Sequence, residues 1–367
     1  MLELKLACQF DDFVLQIGQH LPTDKIVGLF GSSGCGKSRF IRQILGFDQD
    51  YQIGQRNNEI IFKDRVWLWH SGERFIPSRQ RGIGYLPQSV DLFPHLNVAD
   101  NIYFGFNKRP IKPQQALIDM VLKQLDIEHL MARFPHQLSG GQKQRAGLAR
   151  AIFAASNLLV LDEPMSAIGE DHKAQAMRLL QTLNRQYQLP ILYSSHSRLE
   201  HAFITDYLVT LDNGKVIQSG DYESISTDID GRFAQMPDAI NHIKAKSILF
   251  EQDVFINRLQ TTEHHLWAGH QPLEKNTLVN LEIRAQDISL GLEFVKNSSI
   301  LNCLKVSLLE FKEVSNHQFL VKLQFEATHL IAFITKKSFV KLELKVGQQL
   351  FAMFKAVSVL PISIERE

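Results

Sequence analysis

The chain has 367 residues, of which 44% are hydrophobic and 22% are charged, and its net charge at pH 7 is +1. A chain of this length is too long to fold around one ordinary hydrophobic core, so two or more domains are expected. The near-neutral charge gives no reason to expect a nucleic acid partner. No apolar run approaches the ~18 residues of a membrane span, the N-terminus lacks a signal-peptide pattern, and three distant cysteines (Cys8, Cys35 and Cys303) favour a reduced, cytosolic protein.

Residues 1–17 alternate apolar and polar side chains, which predicts half-buried antiparallel strands. Phe10 or Phe13 could stack on a nucleotide base, because a planar base needs an aromatic face. Equally, both could be core residues. The sequence leaves this choice open.

A glycine-rich loop between a predicted buried strand, residues 26–30, and a predicted helix, residues 39–45, matches the pattern G-x-x-x-x-G-K-[ST]. The glycines let backbone N–H groups approach phosphate oxygens. The lysine can reach the β and γ phosphates, and the serine hydroxyl can coordinate Mg²⁺. The predicted nucleotide-binding residues are Gly31, Ser32, Ser33, Gly34, Cys35, Gly36, Lys37 and Ser38.

Two features follow between the glycine-rich loop and the middle of the chain. A short strand, residues 83–86, is followed by Gln88, whose amide could complete a Mg²⁺ shell or could simply be exposed. Residues 114–130 have helical periodicity.

Besides the glycine-rich loop, a second helix N-terminus that can bind an anion is predicted near residue 139, before a helix over 143–155. Ser139 occupies the expected N-cap position, and adjacent glycines leave backbone N–H groups accessible to an anion. The residues of this motif are Ser139, Gly140, Gly141 and Gln142.

Two further predicted strands end on candidate catalytic groups. The apolar run 158–161 reads as a central parallel strand that ends at Asp162 and Glu163, where α/β sheets bind ligands. Asp162 would hold Mg²⁺ through water, and Glu163 would orient or deprotonate the attacking water. A lone histidine is usually structural, but His196 follows strand 190–195, which favours a γ-phosphate contact.

In this order and spacing, these motifs make about the first 230 residues resemble the ATP-binding-cassette ATPases. The resemblance implies ATP and Mg²⁺ as cofactors and a head-to-tail homodimer, in which the phosphate loop of one subunit faces Ser139, Gly140 and Gly141 of the other. It also implies that Gln88 senses Mg²⁺ and relays closure to an integral membrane permease, and that His196 contacts the γ-phosphate.

One loop departs from the family pattern. After Glu163 and Pro164 the family usually has Ser-Ala-Leu-Asp, whereas this chain has Ser-Ala-Ile followed by Gly169. In the family that loop crosses the dimer interface, so the sequence does not decide whether the two ATP sites of this protein are coupled. Hydrolysis is less affected, since Glu163 is present.

The composition changes after about Tyr222, where short β-like runs replace helical signals. Several short strands separated by turn residues predict a small barrel or sandwich. The predicted strands cover residues 247–250, 279–283, 302–311, 318–325, 329–335 and 350–359.

Two stretches of this region resemble the C-terminal part of molybdate-importer ATPase subunits. The first covers residues 283–290, and the second consists of residues 298–302, 334–338, 346–347 and 352–356, within a Mop-type oxyanion domain over residues 297–360. Such domains surround a tetrahedral dianion with serine hydroxyls, backbone N–H groups and a lysine. Ser299, Lys336 and Ser338 occupy the matching positions. Such domains often have an arginine before the asparagine that corresponds to Asn302, but this chain has Leu301 there, which could weaken or abolish oxyanion binding. The alternative is a purely structural barrel.

The sequence therefore predicts an α/β P-loop ATPase domain over 1–232, with a mixed sheet, an antiparallel β subdomain and a helical subdomain. A linker with the first β segments (233–296) and an OB-like all-β domain (297–362) follow. The predicted function is the ATPase of a molybdate importer, peripheral on the cytoplasmic face of the inner membrane and served indirectly by a periplasmic or surface binding protein. The alternatives are an importer of another substrate (iron, sulfate or a sugar) with a structural barrel, and a soluble cassette acting on DNA or ribosomes.

Overall fold

The structure is a computed structural model that describes residues 1–10, 13–47, 58–69, 74–105, 114–269, 272–294 and 297–365. The chain forms two units, Met1–Gly220 and Asp221–Glu367. The three-part division predicted from the sequence, at 232/233 and 296/297, stays a prediction.

The described residues of the N-terminal unit contain one large mixed sheet, with the strand order β6-β5-β4-β1-β2-β11-β10-β3-β9-β8-β7. Its strands are β1 (Leu2–Phe10), β2 (Phe13–Leu21), β3 (Ile26–Phe30), β4 (Glu59–Phe62), β5 (Arg65–Trp69), β6 (Arg74–Phe75), β7 (Ile83–Leu86), β8 (Leu158–Asp162), β9 (Ile191–Ser194), β10 (Tyr207–Asp212) and β11 (Lys215–Asp221). The predicted mixed α/β sheet is confirmed.

Five neighbouring strands of this sheet, from β7 through β8, β9 and β3 to β10, are parallel. Every residue of β8 is buried. This explains its continuous apolar run, because a strand covered on both faces has no solvent side. The carboxyl ends of parallel strands lie at one edge, so the segments that follow β3, β7, β8 and β9 meet there.

The remaining strands include the antiparallel part that the sequence predicts. β1 pairs with β2 and with β4 in antiparallel register. Leu2, Leu4 and Leu6 are buried on one face of β1, as the alternation indicates. Asn213 and Gly214, between β10 and β11, have φ values of 47° and 74°, which are those of a type I′ turn.

The helices of the N-terminal unit are α1 (Lys37–Leu45), α2 (Ser78–Arg81), α3 (Val98–Tyr103), α4 (Gln115–Gln124), α5 (Gly140–Ala154), α6 (Glu170–Tyr187) and α7 (Arg198–Ile204). α5 begins three residues before the predicted start, because Ser139 caps it: its hydroxyl accepts from Gln142 N, and the Gln142 side chain accepts from Ser139 N.

The helix predicted over 114–130 is interrupted. α4 ends at Gln124, and a separate 3₁₀ turn covers Glu128–Leu130. Asp126 adopts a left-handed φ of 47°, which a continuous α-helix cannot contain. The buried Arg145 guanidinium of α5 donates to Leu125 O at 2.8 Å and to Asp126 O at 2.9 Å, so the carbonyl groups at this helix end are satisfied.

The C-terminal unit is built mainly from β-strands, as predicted. Its described elements are α8 (Tyr222–Ser226), β12 (Ile240–Glu251), β13 (Ile256–Gln260), β14 (His265–Ala268), β15 (Leu278–Arg284), β16 (Ser289–Gly291), β17 (Asn302–Ser315), β18 (Gln318–Phe325), β19 (Thr328–Thr335), α9 (Lys336–Lys341), β20 (Gln349–Phe354) and β21 (Leu360–Glu365).

These strands form two antiparallel sheets, which among the described residues have the orders β14-β13-β12-β15-β21 and β16-β20-β17-β18-β19. Apolar residues of both sheets share one core, for example Leu281 of β15 and Leu323 of β18, both fully buried. The run predicted as one strand over 350–359 breaks after Phe354, where a 3₁₀ turn separates β20 from β21.

Candidate nucleotide-binding site

The glycine-rich loop connects β3 to α1, as predicted. Gly34 and Gly36 have φ values of 79° and 110°, which L-residues with a side chain rarely adopt. A Cβ atom on Gly36 would also lie 2.6 Å from Phe13 Cζ. Lys37 Nζ donates to Gly31 O at 2.6 Å and to Ser32 O at 3.2 Å, so the lysine bends back over its own loop.

Asp162 ends β8 next to the first turn of α1. Ser38 Oγ donates to Asp162 Oδ2 at 3.4 Å. Burial raises the pKa of the Asp162 carboxyl, although the hydrogen bond from Ser38 and the charge of Lys37 act in the opposite direction. The structure therefore brings Asp162 next to Lys37 and Ser38, although Asp162 lies 124 residues after Ser38 in the sequence.

Glu163 follows at a strained position, with a left-handed φ of 51°. Its backbone N–H donates to Ser194 O at 2.9 Å, which fixes the turn after β8 against β9. His196 Nδ1 lies 2.8 Å from Glu163 Oε2. The two groups that the sequence assigns to hydrolysis are thus in direct contact, which sequence reasoning did not predict.

A residue of α5 that sequence reasoning missed also holds this turn. Gln144 is buried, and its Nε2 donates to Pro164 O at 3.0 Å. The helix that follows the Ser139 motif is therefore tied to the segment that carries Glu163. The only sequence signal was the polar run after Gly141, in which Gln144 has no distinguishing spacing.

Glu200 of α7 is a second residue that sequence reasoning missed. Its Oε2 accepts hydrogen bonds from Tyr193 Oη and from Ser195 Oγ, both at 2.7 Å. Ser195 Oγ in turn accepts from Ser197 N at 3.0 Å. This network orders the short segment between β9 and α7 that carries His196.

The glycine-rich loop, Asp162, Glu163 and His196 line one open cavity of about 680 Å³. Its walls are Phe10, Phe13, Ser33, Gly34, Gly36, Lys37, Ser38, Arg39, Gln88, Asp162, Glu163 and His196. Phe10 and Phe13 are both half-buried against the core and also face the cavity, and the Arg39 guanidinium lies 4.6 Å from the Phe10 ring centre. Gln88 is exposed at the cavity, so both of its sequence-based interpretations stay open.

The Ser139–Gln142 motif, residues 139–142, is placed elsewhere. None of these four described residues is among the cavity walls of the same protomer, and Ser139 and Gly140 are exposed. A Cβ atom on Gly140 would have no heavy atom of the described residues within 4 Å, so the described part of its own protomer does not require a glycine there. A Cβ atom on Gly141 would lie 2.8 Å from Ala167 O, so Gly141 permits close packing against the loop before α6.

The three predicted oxyanion residues are not brought together within one protomer. Ser299 is exposed in the segment before β17, which starts at Asn302. Lys336 and Ser338 are in α9, which directly follows β19. The end of β19 lies beside the end of β17, because Thr335 pairs with Gln318 and Gln318 pairs with Ser315. The two residues are therefore at the opposite end of β17 from Ser299. Lys336 Nζ there donates to Glu313 Oε1 at 2.7 Å.

The fold and the cavity define the class of the N-terminal unit, which is an ATP-binding-cassette ATPase. Residues 15–166 match the ABC transporter family, and residues 298–361 match the TOBE domain. Two solved structures share the fold over 60% of this chain and 98% of theirs, both with a TM-score of 0.51. They are the dimeric bacterial ABC transporter cassette MJ0796, at 20% identity, and its post-hydrolysis dimer bound to ADP and Pi, at 21% identity.

Full-length relatives narrow the class to one family. The molybdenum import ATP-binding protein ModC of Pseudomonas syringae pv. syringae (strain B728a) is 34% identical over 98% of this chain and 99% of its own length. The ModC protein of Bordetella parapertussis is 31% identical over 98% of this chain and 97% of its own. The chain belongs to the family of molybdenum import ATP-binding proteins. Among the described residues, no helix is both long enough and apolar enough to span a membrane.

Proposed function

We propose that this chain is the ATP-hydrolysing subunit of a molybdate importer, and that it works on the cytoplasmic face of the inner membrane, docked to a separate permease. One observation carries the proposal: the similarity to molybdenum import ATP-binding proteins extends over 98% of the chain, so it includes the C-terminal unit as well as the ATPase unit. The cavity around Lys37, Asp162 and Glu163 supplies the chemistry for the ATPase part of the proposal.

The phosphate chain of ATP would lie along the glycine-rich loop. Lys37 would exchange its contacts with Gly31 O and Ser32 O for phosphate oxygens, which offer it a full negative charge. The N-cap of α1 is Gly36, which has no side chain to cap the first-turn N–H groups. Those N–H groups are therefore available to phosphate oxygens. Phe10 and Phe13 are the aromatic walls against which the base could stack.

The residues beside Asp162 fit a Mg²⁺ ion. Ser38 Oγ and Asp162 Oδ2 lie 3.4 Å apart, and Gln88 lines the same cavity, so this edge offers hydroxyl, carboxylate and amide oxygens. Mg²⁺ prefers such oxygen ligands and, when bound, neutralises phosphate charge. Ser38, Asp162 and Gln88 are therefore proposed to hold the ion, with Asp162 acting through water.

Glu163 and His196 are proposed to act on the reacting end of ATP. One Glu163 oxygen contacts His196 Nδ1, which leaves the other free to orient and deprotonate a water molecule. Since the Glu163 carboxylate only accepts, His196 Nδ1 carries the hydrogen of this contact, and Nε2 would donate to a γ-phosphate oxygen when both ring nitrogens are protonated. His196 is highly exposed at the cavity, so a bound nucleotide can reach it.

A second copy of the chain is proposed to complete each site. Ser139, Gly140, Gly141 and Gln142 lie away from the cavity of their own protomer, yet they start a long helix whose N-terminus favours an anion. Open space at Gly140 would let a partner's nucleotide approach this backbone closely. Head-to-tail pairing of two protomers would bring this motif to the partner's cavity.

The C-terminal unit is proposed to bind molybdate between two protomers. Ser299 and Lys336 lie at opposite ends of β17 in one chain, so a shared site needs Ser299 from one copy and Lys336 and Ser338 from the other. The alternative is that the C-terminal unit is purely structural. The contact of Lys336 with Glu313 favours this alternative, because the lysine must leave the carboxylate before it can bind a dianion.

The deciding experiment measures ATP hydrolysis by the complex of this chain with its permease and the external binding protein that delivers the substrate. We expect molybdate supplied with the binding protein to stimulate hydrolysis, and tungstate and sulfate to be the informative comparisons. Stimulation by sulfate, iron or a sugar, without any response to molybdate, would refute the proposed substrate. Absence of hydrolysis under every condition would refute the proposed function as a whole.

A further inference from the structure

A second histidine, His201, is buried behind the segment that carries His196. His201 belongs to α7 and is 0% exposed. Its Nε2 lies 3.0 Å from Ser195 O, and its Nδ1 lies 2.9 Å from Thr205 Oγ1. Both ring nitrogens therefore have a partner, as a buried imidazole requires.

The chemistry of the two partners assigns the protons. A backbone carbonyl only accepts, so His201 Nε2 must carry the hydrogen and donate to Ser195 O. Burial lowers the pKa of His201 to about 4, so the ring is neutral at pH 7 and Nδ1 accepts from the Thr205 hydroxyl. The His201 ring thus presents a fixed N–H group to the carbonyl that immediately precedes His196.

The surrounding residues leave His201 little freedom. Its ring meets Phe30 and Tyr193 edge to face, with centroid distances of 5.7 Å and 5.9 Å. A Cβ atom on Gly28 of β3 would lie 2.6 Å from His201 Nδ1. His201 is therefore clamped between β3, which leads into the phosphate loop, and β9, which leads to His196.

The position of His196 depends on this support. The His196 side chain is 74% exposed, so packing does not hold it, whereas its partner Glu163 is only 10% exposed. The preceding residue is held by three hydrogen bonds: Ser195 Oγ donates to Glu200, Ser195 O accepts from His201, and Ser195 N donates to Leu29 O at 3.3 Å. The position of the His196 ring is thus set by this backbone segment together with the contact of Nδ1 with Glu163 Oε2.

We propose that His201 is a positioning residue for ATP hydrolysis, which holds the Ser195 carbonyl and thereby places His196 against Glu163 and the γ-phosphate. The inference rests on the role proposed above for His196. His201 does not touch the nucleotide. Its loss should slow the chemical step while leaving ATP binding by the phosphate loop intact.

The test compares three substitutions in the full chain. His201→Leu removes the N–H donor at similar volume, and His201→Gln keeps an amide N–H near the position of Nε2. His201→Asn carries the same amide on a side chain too short to reach Ser195 O. Thr205→Val is the matched control, because it removes the hydroxyl on the other side of the ring and leaves the Ser195 contact.

We expect His201→Leu and His201→Asn to lower kcat about ten-fold, since misplacement of a catalytic group carries a cost of this order, with KM for ATP changed less than about two-fold. His201→Gln should stay within about three-fold of the wild-type kcat, and Thr205→Val within about two-fold, because both keep a donor to the Ser195 carbonyl.

Two results would overturn the inference. The first is a wild-type kcat in a folded His201→Leu or His201→Asn variant, and the second is an equal loss of kcat in His201→Gln and His201→Asn. If His201→Leu does not fold, the Gln and Asn comparison still decides. If the wild-type chain hydrolyses ATP and His201→Asn has the same kcat, only the role proposed for His201 is contradicted. A wild-type chain without ATPase activity contradicts the proposed function instead.

Discussion

Glu326 offers a quantitative test of how the C-terminal unit is held together. It lies in the turn between β18 and β19, and its carboxylate accepts from the turn between β13 and β14. The donors are Thr261 Oγ1 at 2.6 Å, Thr262 N at 3.2 Å, Glu263 N at 2.9 Å and His264 Nδ1 at 2.9 Å. One side chain therefore connects the two sheets of the unit.

These contacts set the pKa of Glu326. Burial would raise it, but the hydrogen bonds from Thr261, from His264 and from the backbone outweigh burial and lower the pKa from 4.5 to about 2. A difference of about 2.5 pH units corresponds to about 3.4 kcal/mol. Solvent screening of this partly accessible group reduces the expected contribution to about 2 kcal/mol.

Because the folded pKa is the lower one, this stabilisation is fully present above about pH 4.5 and is lost as the pH falls towards 2. Glu326→Gln should therefore lower the free energy of unfolding of the C-terminal unit by about 2 kcal/mol at pH 7 and by much less near pH 2.5. Urea unfolding of the full chain, followed by the fluorescence of Trp267 in β14 as the only tryptophan retained, reports on this unit.

Glu343→Gln is the matched control, because Glu343 has the same φ of 46° but an exposed side chain. It should leave the unfolding free energy within about 0.5 kcal/mol of the wild type at both pH values. The reasoning is refuted if the difference between wild type and Glu326→Gln stays constant from pH 7 to pH 2.5, or if both glutamate substitutions act alike.

Three predictions concern the proposed sites. Glu163→Gln should reduce ATP turnover at least about 100-fold with ATP affinity retained, since it removes the base but keeps the shape; wild-type turnover would exclude Glu163 as the base. Lys37→Ala should weaken ATP binding at least about ten-fold by equilibrium titration, because the phosphates lose a counter-charge, and unchanged affinity would contradict the phosphate-loop assignment. Calorimetry of the full chain with molybdate should give heat that vanishes in Lys336→Ala, whereas a flat titration of the wild type would leave the C-terminal unit structural.

The phosphate-binding half of the site could be read from the sequence because its signals are local. The glycine-rich loop needs only the order strand, loop and helix, and Asp162 only needs to follow a buried parallel strand. The mixed sheet and the all-β C-terminal unit could be predicted for a similar reason, since hydrophobic periodicity differs between helices, half-buried strands and fully buried strands.

The supporting residues could not be predicted, because their partners are distant in sequence or are backbone atoms. Gln144 donates to a carbonyl 20 residues away. His201 contacts a carbonyl that any residue at position 195 would provide. A buried polar side chain of this kind leaves no spacing pattern, so only its place in the fold reveals its partner.

The order and direction of the strands limited the prediction of the oxyanion site. Ser299, Lys336 and Ser338 can be selected by resemblance, but their separation depends on how β17 pairs. The N-terminal part of β17 pairs with β20 and its C-terminal part with β18, with register irregularities along the second pairing. Because β17–β18 and β18–β19 are consecutive antiparallel pairs, the end of β19 lies beside the end of β17, far from the segment that carries Ser299. The resemblance selects residues by type and spacing and does not include this strand order.

Gly169 is where the sequence departs from the family pattern, and the structure makes the departure testable. Gly169 is the N-cap of α6, with φ −65° and ψ 153°, and within the described part of the chain a Cβ atom there would have no heavy atom within 4 Å. Aspartate therefore fits without strain, and it is a favoured N-cap, so Gly169→Asp should raise stability by a few tenths of a kcal/mol, at most about 1 kcal/mol. Gly169→Ala fits equally well but adds no acceptor.

The functional consequence depends on whether this loop faces a second protomer. If it lies at the dimer interface, the new carboxylate adds a polar contact between the two sites, and the Hill coefficient for ATP should rise in Gly169→Asp but not in Gly169→Ala. Steady-state hydrolysis measured across ATP concentrations distinguishes the two variants. A gain in stability without any change in the Hill coefficient would confine the effect of the aspartate to capping α6 and would contradict a role of this position in coupling.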